Sequence, residues 1–262
     1  SGLTLRLTQD SPTQFGDAID GTQSSTDGSE LNQLFADFDA VNGDLNIGIT
    51  GNLEANFNKF WIFFDAVPGG QNVLTDSNAD GGFGEINALA GLTFGPGFTA
   101  DHGLRFEVGG GFVGMNGFDL IEGTASTLYS GGGPGDLPVT NVGSGGVTLG
   151  WDNSNTAGVT NISADVAADA ATATTGWELS IRVGEFFGGS QNVSMVAFIT
   201  NGDGTFMSNQ ALPGLGLADN PGDPSTVTLP DSFSVAVPEP SAAAAITLLA
   251  LAGLVTANRR RC

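Results

Sequence analysis

The stretch DLNIGITGNLEANFNKFWIFFDA, residues 44–66, decides the fold. Its first part alternates strictly. Leu45, Ile47 and Ile49 fall on one side and Asn46, Gly48 and Thr50 on the other, the period of a half-buried strand. Its last part, residues 59–66, is apolar at nearly every position, and a strand without alternation needs cover on both faces. Residues 51–58 connect the two, which together read as a central antiparallel pair.

Outward from this pair the chain reads as more strands. Residues 3–8 alternate. Residues 29–41 fit a helix through Leu34, Phe35 and Phe38, or a strand in which Phe38 and Ala40 alternate with Asp37 and Asp39; strand is preferred. Further strands are expected at 104–108, near 118–122, 126–130 and 146–152, and at 177–183, 192–200 and 225–235. Residues 67–91 read as a long Gly/Asn/Asp loop, and 153–175 as another with one helical turn around 164–171. Gly184 to Gly188 reads as a turn that pins Phe186 and Phe187 into the core. Short strands, glycine-rich turns and no long amphipathic helix predict an all-β chain, a two-layer antiparallel β-sandwich of jelly-roll type.

Charge narrows the function. All 28 acidic residues lie before Ser241, against only Arg6, Lys59, Arg105 and Arg182. Such a surface repels phosphate backbones, which excludes nucleic acid as a partner, and it suits cations or a hydrated polysaccharide matrix. Eighteen Phe in a 40% hydrophobic chain indicate a folded core. One cysteine, Cys262, rules out an internal disulfide framework. His102 is the sole histidine and has no nucleophile partner beside it in sequence, so no catalytic residue is assigned and a non-enzymatic role is expected.

The C-terminus has three parts with different physics. Pro238, Glu239 and Pro240 sit in a linker (234–241) that cannot continue a helix. Residues 242–257 are uncharged and apolar, about 24 Å long as a helix against the ~30 Å of a bilayer core. Arg259, Arg260 and Arg261 follow in a basic tail (258–262), on the side the positive-inside rule makes cytoplasmic. Residues 1–233 are then the exported acidic domain. The order Pro-Glu-Pro, short apolar span, arginine cluster closely resembles the PEP-CTERM sorting signal of Gram-negative biofilm bacteria. The resemblance implies export and anchoring in the inner membrane by a transmembrane helix over 242–257. It further implies recognition by an exosortase-type enzyme and delivery to the cell surface or extracellular matrix, in contact with exopolysaccharide.

Two constellations carry possible chemistry. Asp76, Asn78, Asp80 and Gly81 match the first half of a calcium loop, with oxygen ligands at alternate positions. The nearest closing acid, Glu85, comes two residues early, so calcium loop and solvated Asp/Asn turn both remain open. For sugar binding, Trp151 precedes the polar run Asp152-Asn153-Ser154-Asn155, and an exposed Trp151 with Asp152 and Asn153 would supply a stacking face and planar polar groups. Finally, the strand ending at Asp65 and the Gly176-Trp177-Glu178 strand are similar to features of family 9 carbohydrate-binding and DOMON-like jelly rolls, over about residues 29–215. That likeness implies a sandwich and, as a second reading beside a structural or adhesive role, a carbohydrate-binding module; a glycoside hydrolase is the third.

Overall fold

The computed structural model describes residues 2–15, 28–132, 139–159, 169–189 and 192–237. The strands are β1 (Leu5–Thr8), β2 (Glu30–Asp39), β3 (Asp44–Asn52), β4 (Asn56–Asp65), β5 (His102–Gly109), β6 (Phe112–Asp119) and β7 (Thr124–Gly131). They continue as β8 (Val139–Val142), β9 (Val147–Trp151), β10 (Gly176–Arg182), β11 (Asn192–Thr200), β12 (Met207–Leu212) and β13 (Phe233–Ala236). Two four-residue helices, α1 (Glu85–Ala88) and α2 (Val183–Phe186), complete the described elements together with short 3-10 turns. One sheet runs β1-β2-β3-β10-β9-β8 and the other β12-β11-β4-β5-β6-β7, with β13 sharing an edge of β11, and every strand pairing is antiparallel. The all-β, two-layer antiparallel expectation holds.

The central pair needs correction. β3 and β4 are each central, but in opposite layers: β3 lies between β2 and β10, and β4 between β11 and β5. The cause is the corner between them. Leu53 is fully buried, and its backbone N–H and C=O are both taken by the Asn153 amide, at 2.7 and 2.8 Å. The chain therefore turns across the core instead of folding back as a hairpin. β10 and β11 make the parallel crossover, so the neighbours are β3 with β10 and β4 with β11. Rolling one long hairpin would nest the pairs as β3 with β11 and β4 with β10; this interlocked connection departs from the jelly-roll pattern.

The alternation in β3 sends Leu45, Ile47 and Ile49 inward, where they meet Phe60, Ile62 and Phe64 of β4 and Leu104, Phe106 and Val108 of β5. The unbroken apolar run of β4 has the double burial its composition demands. Trp61 and Phe63 point to the outer face, under a second core layer. Leu74, Ile86, Leu89, Leu92, Phe94 and Phe98, from the long β4–β5 connection, supply most of that cover. Each such side chain taken from water contributes roughly 1.5–3 kcal/mol, so a segment that reads as a polar loop is anchored by its apolar side chains.

Other differences are local. Residues 29–41 are strand, as preferred. The strand expected near 118–122 ends at Asp119, whose carboxylate accepts the N–H groups of Ile121 and Glu122 and closes a turn. Residues 225–235 contain a 3-10 turn at Pro224–Thr226 and only the start of β13. His102 opens β5, is buried, and its Nδ1 meets Asp101 Oδ1 at 2.8 Å. Asp101 in turn accepts the backbone N–H groups of Ala66 and Val67, both at 2.6 Å. Among the described residues no helix is long and apolar enough to cross a membrane. The span expected at 242–257, with Pro238, Glu239, Pro240, Arg259, Arg260 and Arg261, lies outside the described residues, as does most of the helical turn expected at 164–171.

Candidate functional site: a trough on the six-stranded sheet

The second core layer covers the outer face of the seven-stranded sheet, whereas on the outer face of the six-stranded sheet Glu178 and Thr148 are exposed and Asn46, Gly48, Thr50, Gly150 and Ser180 are half-buried. Strand register sets three transverse rows of side chains there. At one end stand Gln33, Thr50, Gly176 and Asp152, with the Gln33 N–H on Thr50 Oγ1 at 3.1 Å and the Asp152 N–H on the Gly176 carbonyl at 3.0 Å. In the middle stand Phe35, Gly48, Glu178 and Gly150, directly paired strand to strand. At the other end stand Asp37, Asn46, Ser180 and Thr148.

The middle row makes the trough. Gly48 and Gly150 flank exposed Glu178 and leave no side chain on either side of its carboxylate. Two depressions of about 670 and 760 Å³ meet here and share Leu3, Thr140, Gly150 and Glu178. Leu3 forms one wall. A methyl group added to Gly48 would sit 3.3 Å from its Cδ1, so the glycine lets Leu3 settle onto the sheet.

A strap holds that wall. Asp37 accepts the Thr4 N–H at 2.6 Å and the Arg6 guanidinium at 2.9 Å. Desolvation pushes the Asp37 carboxyl up, but the Thr4 hydrogen bond and the Arg6 charge outweigh it and hold the group below its ordinary value. Asp37, Asp152 and Glu178 line the trough, and no Lys or Arg lines it among the described residues. An anionic polymer is therefore repelled. Hydroxyl, amide and carboxylate groups spaced by strand register on a floor cleared by glycine suit a neutral, hydroxyl-rich chain that offers both donors and acceptors.

The sequence-predicted sugar residues are only partly here. Asp152 lines the trough and its Oδ1 accepts the Ser154 N–H. Trp151 does not stack on anything outside: it is 2% exposed, because the β9 alternation Val147, Leu149, Trp151 points all three inward. Its ring lies 4.9 Å from Phe106. Asn153 is buried and clamps the Leu53 corner. Trp151 and Asn153 are corrected to structural residues. Gln33, Phe35, Asn46, Glu178 and Ser180 went unselected; alternation identifies them as outward-facing, but only cross-strand register brings them together.

The calcium loop is also dispersed. Asn78 Oδ1 accepts from the Gln71 amide at 2.6 Å, and Asp80 Oδ1 accepts the Gly82 N–H at 2.7 Å. Glu85 turns away from Asp76 and Asp80 to Arg105, 2.6 Å from Nη1, with Lys59 Nζ at 3.6 Å. Two cations already neutralise the acid that would close the loop. Among the described residues no group of three or more His, Cys, Asp or Glu side chains gathers to hold a metal. No family model matches the chain, and no curated protein and no solved structure matches it.

Proposed function

We propose that this chain is a non-enzymatic exported protein that holds a neutral polysaccharide strand along the outer face of its six-stranded sheet, as an adhesive component of a surface or biofilm matrix. The observation that carries the reading is the glycine-cleared trough centred on Glu178, with polar rows at both ends and, among the described residues, no basic residue in its lining. Two depressions that meet at Glu178 give the trough length for the interior of a polymer. Non-enzymatic use is supported by the sequence, in which the one histidine, His102, has no nucleophile beside it.

The address is the second half of the proposal. Pro238-Glu239-Pro240, the apolar run 242–257 and Arg259 to Arg261 support sorting of PEP-CTERM type. An inner-membrane intermediate anchored by that run would be passed by an exosortase-type enzyme to the cell surface or matrix. Calcium is not part of this reading, since Glu85 is engaged elsewhere.

The test is isothermal titration of the protein with cellohexaose, xylohexaose, mannohexaose and maltohexaose. At least one is expected to bind, and Glu178→Ala, which removes charge-assisted hydrogen bonds worth about 1.5–3 kcal/mol each, weakens it roughly tenfold or more. Gly150→Leu fills the trough and abolishes binding; Gly150 lies in an extended strand without positive φ, so its backbone imposes no strain on a side chain, and an unchanged melting temperature checks that the fold is kept. Binding that survives both substitutions refutes the site. For the address, the mass of the mature C-terminus on native surface material decides: loss of everything beyond the Pro-Glu-Pro region supports sorting, and an intact Arg259–Cys262 end means simple anchoring.

A further inference from the structure

A second constellation lies on the opposite layer. Lys59 of β4 and Arg105 and Glu107 of β5 are all buried on the outer face of the seven-stranded sheet, where α1 brings Glu85 over them. Lys59 pairs with Glu107 and, at 3.6 Å, with Glu85. Arg105 binds Glu85 at 2.6 Å, Glu107 at 3.0 Å and Asn116 Oδ1 at 2.8 Å. Two cations face two anions, so the quartet is formally neutral. Lys59, Glu85 and Glu107 line a pocket of about 640 Å³, with Arg105 buried behind Glu85 and Phe83.

The rim is aromatic. Phe57, Phe83 and Phe112 line the pocket, with Phe57 40% and Phe83 54% exposed. Phe83 lies over the Arg105 guanidinium, 4.9 Å from its ring centre, and keeps its other face free. Phe57 has φ +73°, a left-handed backbone that costs a non-glycine residue roughly 1–3 kcal/mol. Its ring is seated by glycine. A methyl group at Gly109 would come within 2.7 Å of Phe57 Cδ2, and one at Gly110 within 3.1 Å of Cζ. Half-exposed rings held at a backbone cost around a buried ionic floor form a binding site, not a packing remnant.

Charge selects the ligand. An incoming ammonium group meets Lys59, which already stands 5.9 Å from the Phe57 ring centre, and finds Phe83 already facing the buried Arg105 guanidinium, at 4.9 Å. An incoming carboxylate or phosphate meets Glu85 and Glu107, with Asp203 at the rim. What gains from both is a neutral ring with an apolar C–H face to lie on phenylalanine and hydroxyls to bridge carboxylate and ammonium groups. We propose that this pocket binds a neutral pyranose unit. Its stacking faces all belong to one cluster of rings, so the ligand is a single residue or a chain end. It stands independently of the trough; with both occupied, one molecule joins two glycan strands from opposite faces.

The experiment is saturation-transfer NMR on the full chain in a non-glycosidic detergent. The probes are glucose, galactose, mannose and xylose, and their methyl glycosides, with tetramethylammonium and acetate as charged probes. One sugar is expected to bind, Phe83→Ala to weaken it about tenfold, and Phe83→Trp to retain it, while both variants keep the wild-type melting temperature. Preference for a methyl glycoside over its free sugar assigns the ligand to a polymer end, and the reverse to a free monosaccharide. The trough variant Gly150→Leu leaves this binding unchanged, so the two sites fail or stand separately. Binding by tetramethylammonium or acetate alone, no sugar binding, or sugar binding indifferent to Phe83→Ala overturns the proposal.

Discussion

Arg105→Met is the sharpest test of how the outer layer is held. The side chain is about 1% exposed and makes three polar contacts, to Glu85, Glu107 and Asn116. Methionine keeps the length and the contact beneath Phe83 but removes the guanidinium. Glu85 is then left with Lys59 at 3.6 Å alone, Lys59 must serve two carboxylates, and Asn116 Oδ1 loses a donor. Removing one member of a buried ionic set costs about 3–5 kcal/mol, because the remaining charge stays buried without compensation. For a domain of this size each kcal/mol shifts Tm by roughly 2–4 °C, so the loss is of order 10 °C. Urea unfolding followed by tryptophan fluorescence measures it, since Trp61, which pairs with Arg105 across β4 and β5, is buried under the same cover. The double variant Glu85→Gln/Arg105→Met should recover part of the loss by removing the orphaned charge. A loss below about 1 kcal/mol, or a double variant no better than the single one, would refute the claim that the quartet is mutually compensated.

Two further outcomes follow from buried polar groups. Asn155→Ala should destabilise by about 3 kcal/mol or more in the same unfolding assay. Its amide donates to Gly51 O, Asn52 Oδ1 and Thr175 O and accepts from the Thr174 and Thr175 N–H groups, all within 3.1 Å. A loss under 1 kcal/mol would mean the seam between β3 and β10 closes without it. For pH, burial first and the nearby Asp101 charge raise the Asp65 carboxyl above 3.8, against a hydrogen bond from the Thr99 N–H. Its protonated form is thus favoured on folding: that stability is complete below pH ~3.8 and is lost as pH rises through the folded-state value. Asp65→Asn should therefore raise Tm at pH 7 and lose the advantage near pH 3. Asp37, Asp39 and Asp223 work oppositely, being held low, and their contribution is lost as pH falls. An Asp65→Asn protein no more stable than wild type at pH 7 contradicts this account.

How much of this was legible in the sequence depends on what sets each feature. The layers were legible because period-2 alternation in residues 44–50 and its absence in 59–66 report burial directly. The position of Trp151 was legible too: Val147, Leu149 and Trp151 share one parity, and the inward reading outranks the polar run that follows. That run, Asp152 to Asn155, suggested a ligand loop, whereas Asn153 and Asn155 spend their amides on the backbone of the corner and the seam. Buried Asn and exposed Asn look alike in one dimension. The partner of Glu85 was hidden for a different reason. Spacing suggested a loop ligand, but the nearest positive charge, Arg105, arrives from a strand twenty residues on, and a low-dielectric ion pair outcompetes a solvated loop ligand. The β3–β4 crossing escaped because a hairpin and a crossover differ only in tertiary contacts.

The scarcity of cations ties these features together. In a chain with 28 acids, only four basic residues precede the tail, and each has a partner. Arg6 pins the trough wall to Asp37, Arg182 binds Asp44 at 2.5 Å at the far end of the β3–β10 pair, and Lys59 and Arg105 neutralise the pocket floor. Each basic residue is thus committed to a place where an acid is close to the backbone of a site or buried beneath it. Other acids are met differently, Asp101 being buried against His102 and two backbone N–H groups, and the exposed carboxylates repel anionic polymers. In the trough the lining acids and in the pocket the paired charges lead by different routes to the same preference. On the proposed reading both surfaces disfavour phosphate and carboxylate, and both keep hydrogen-bonding groups for a ligand that carries no net charge.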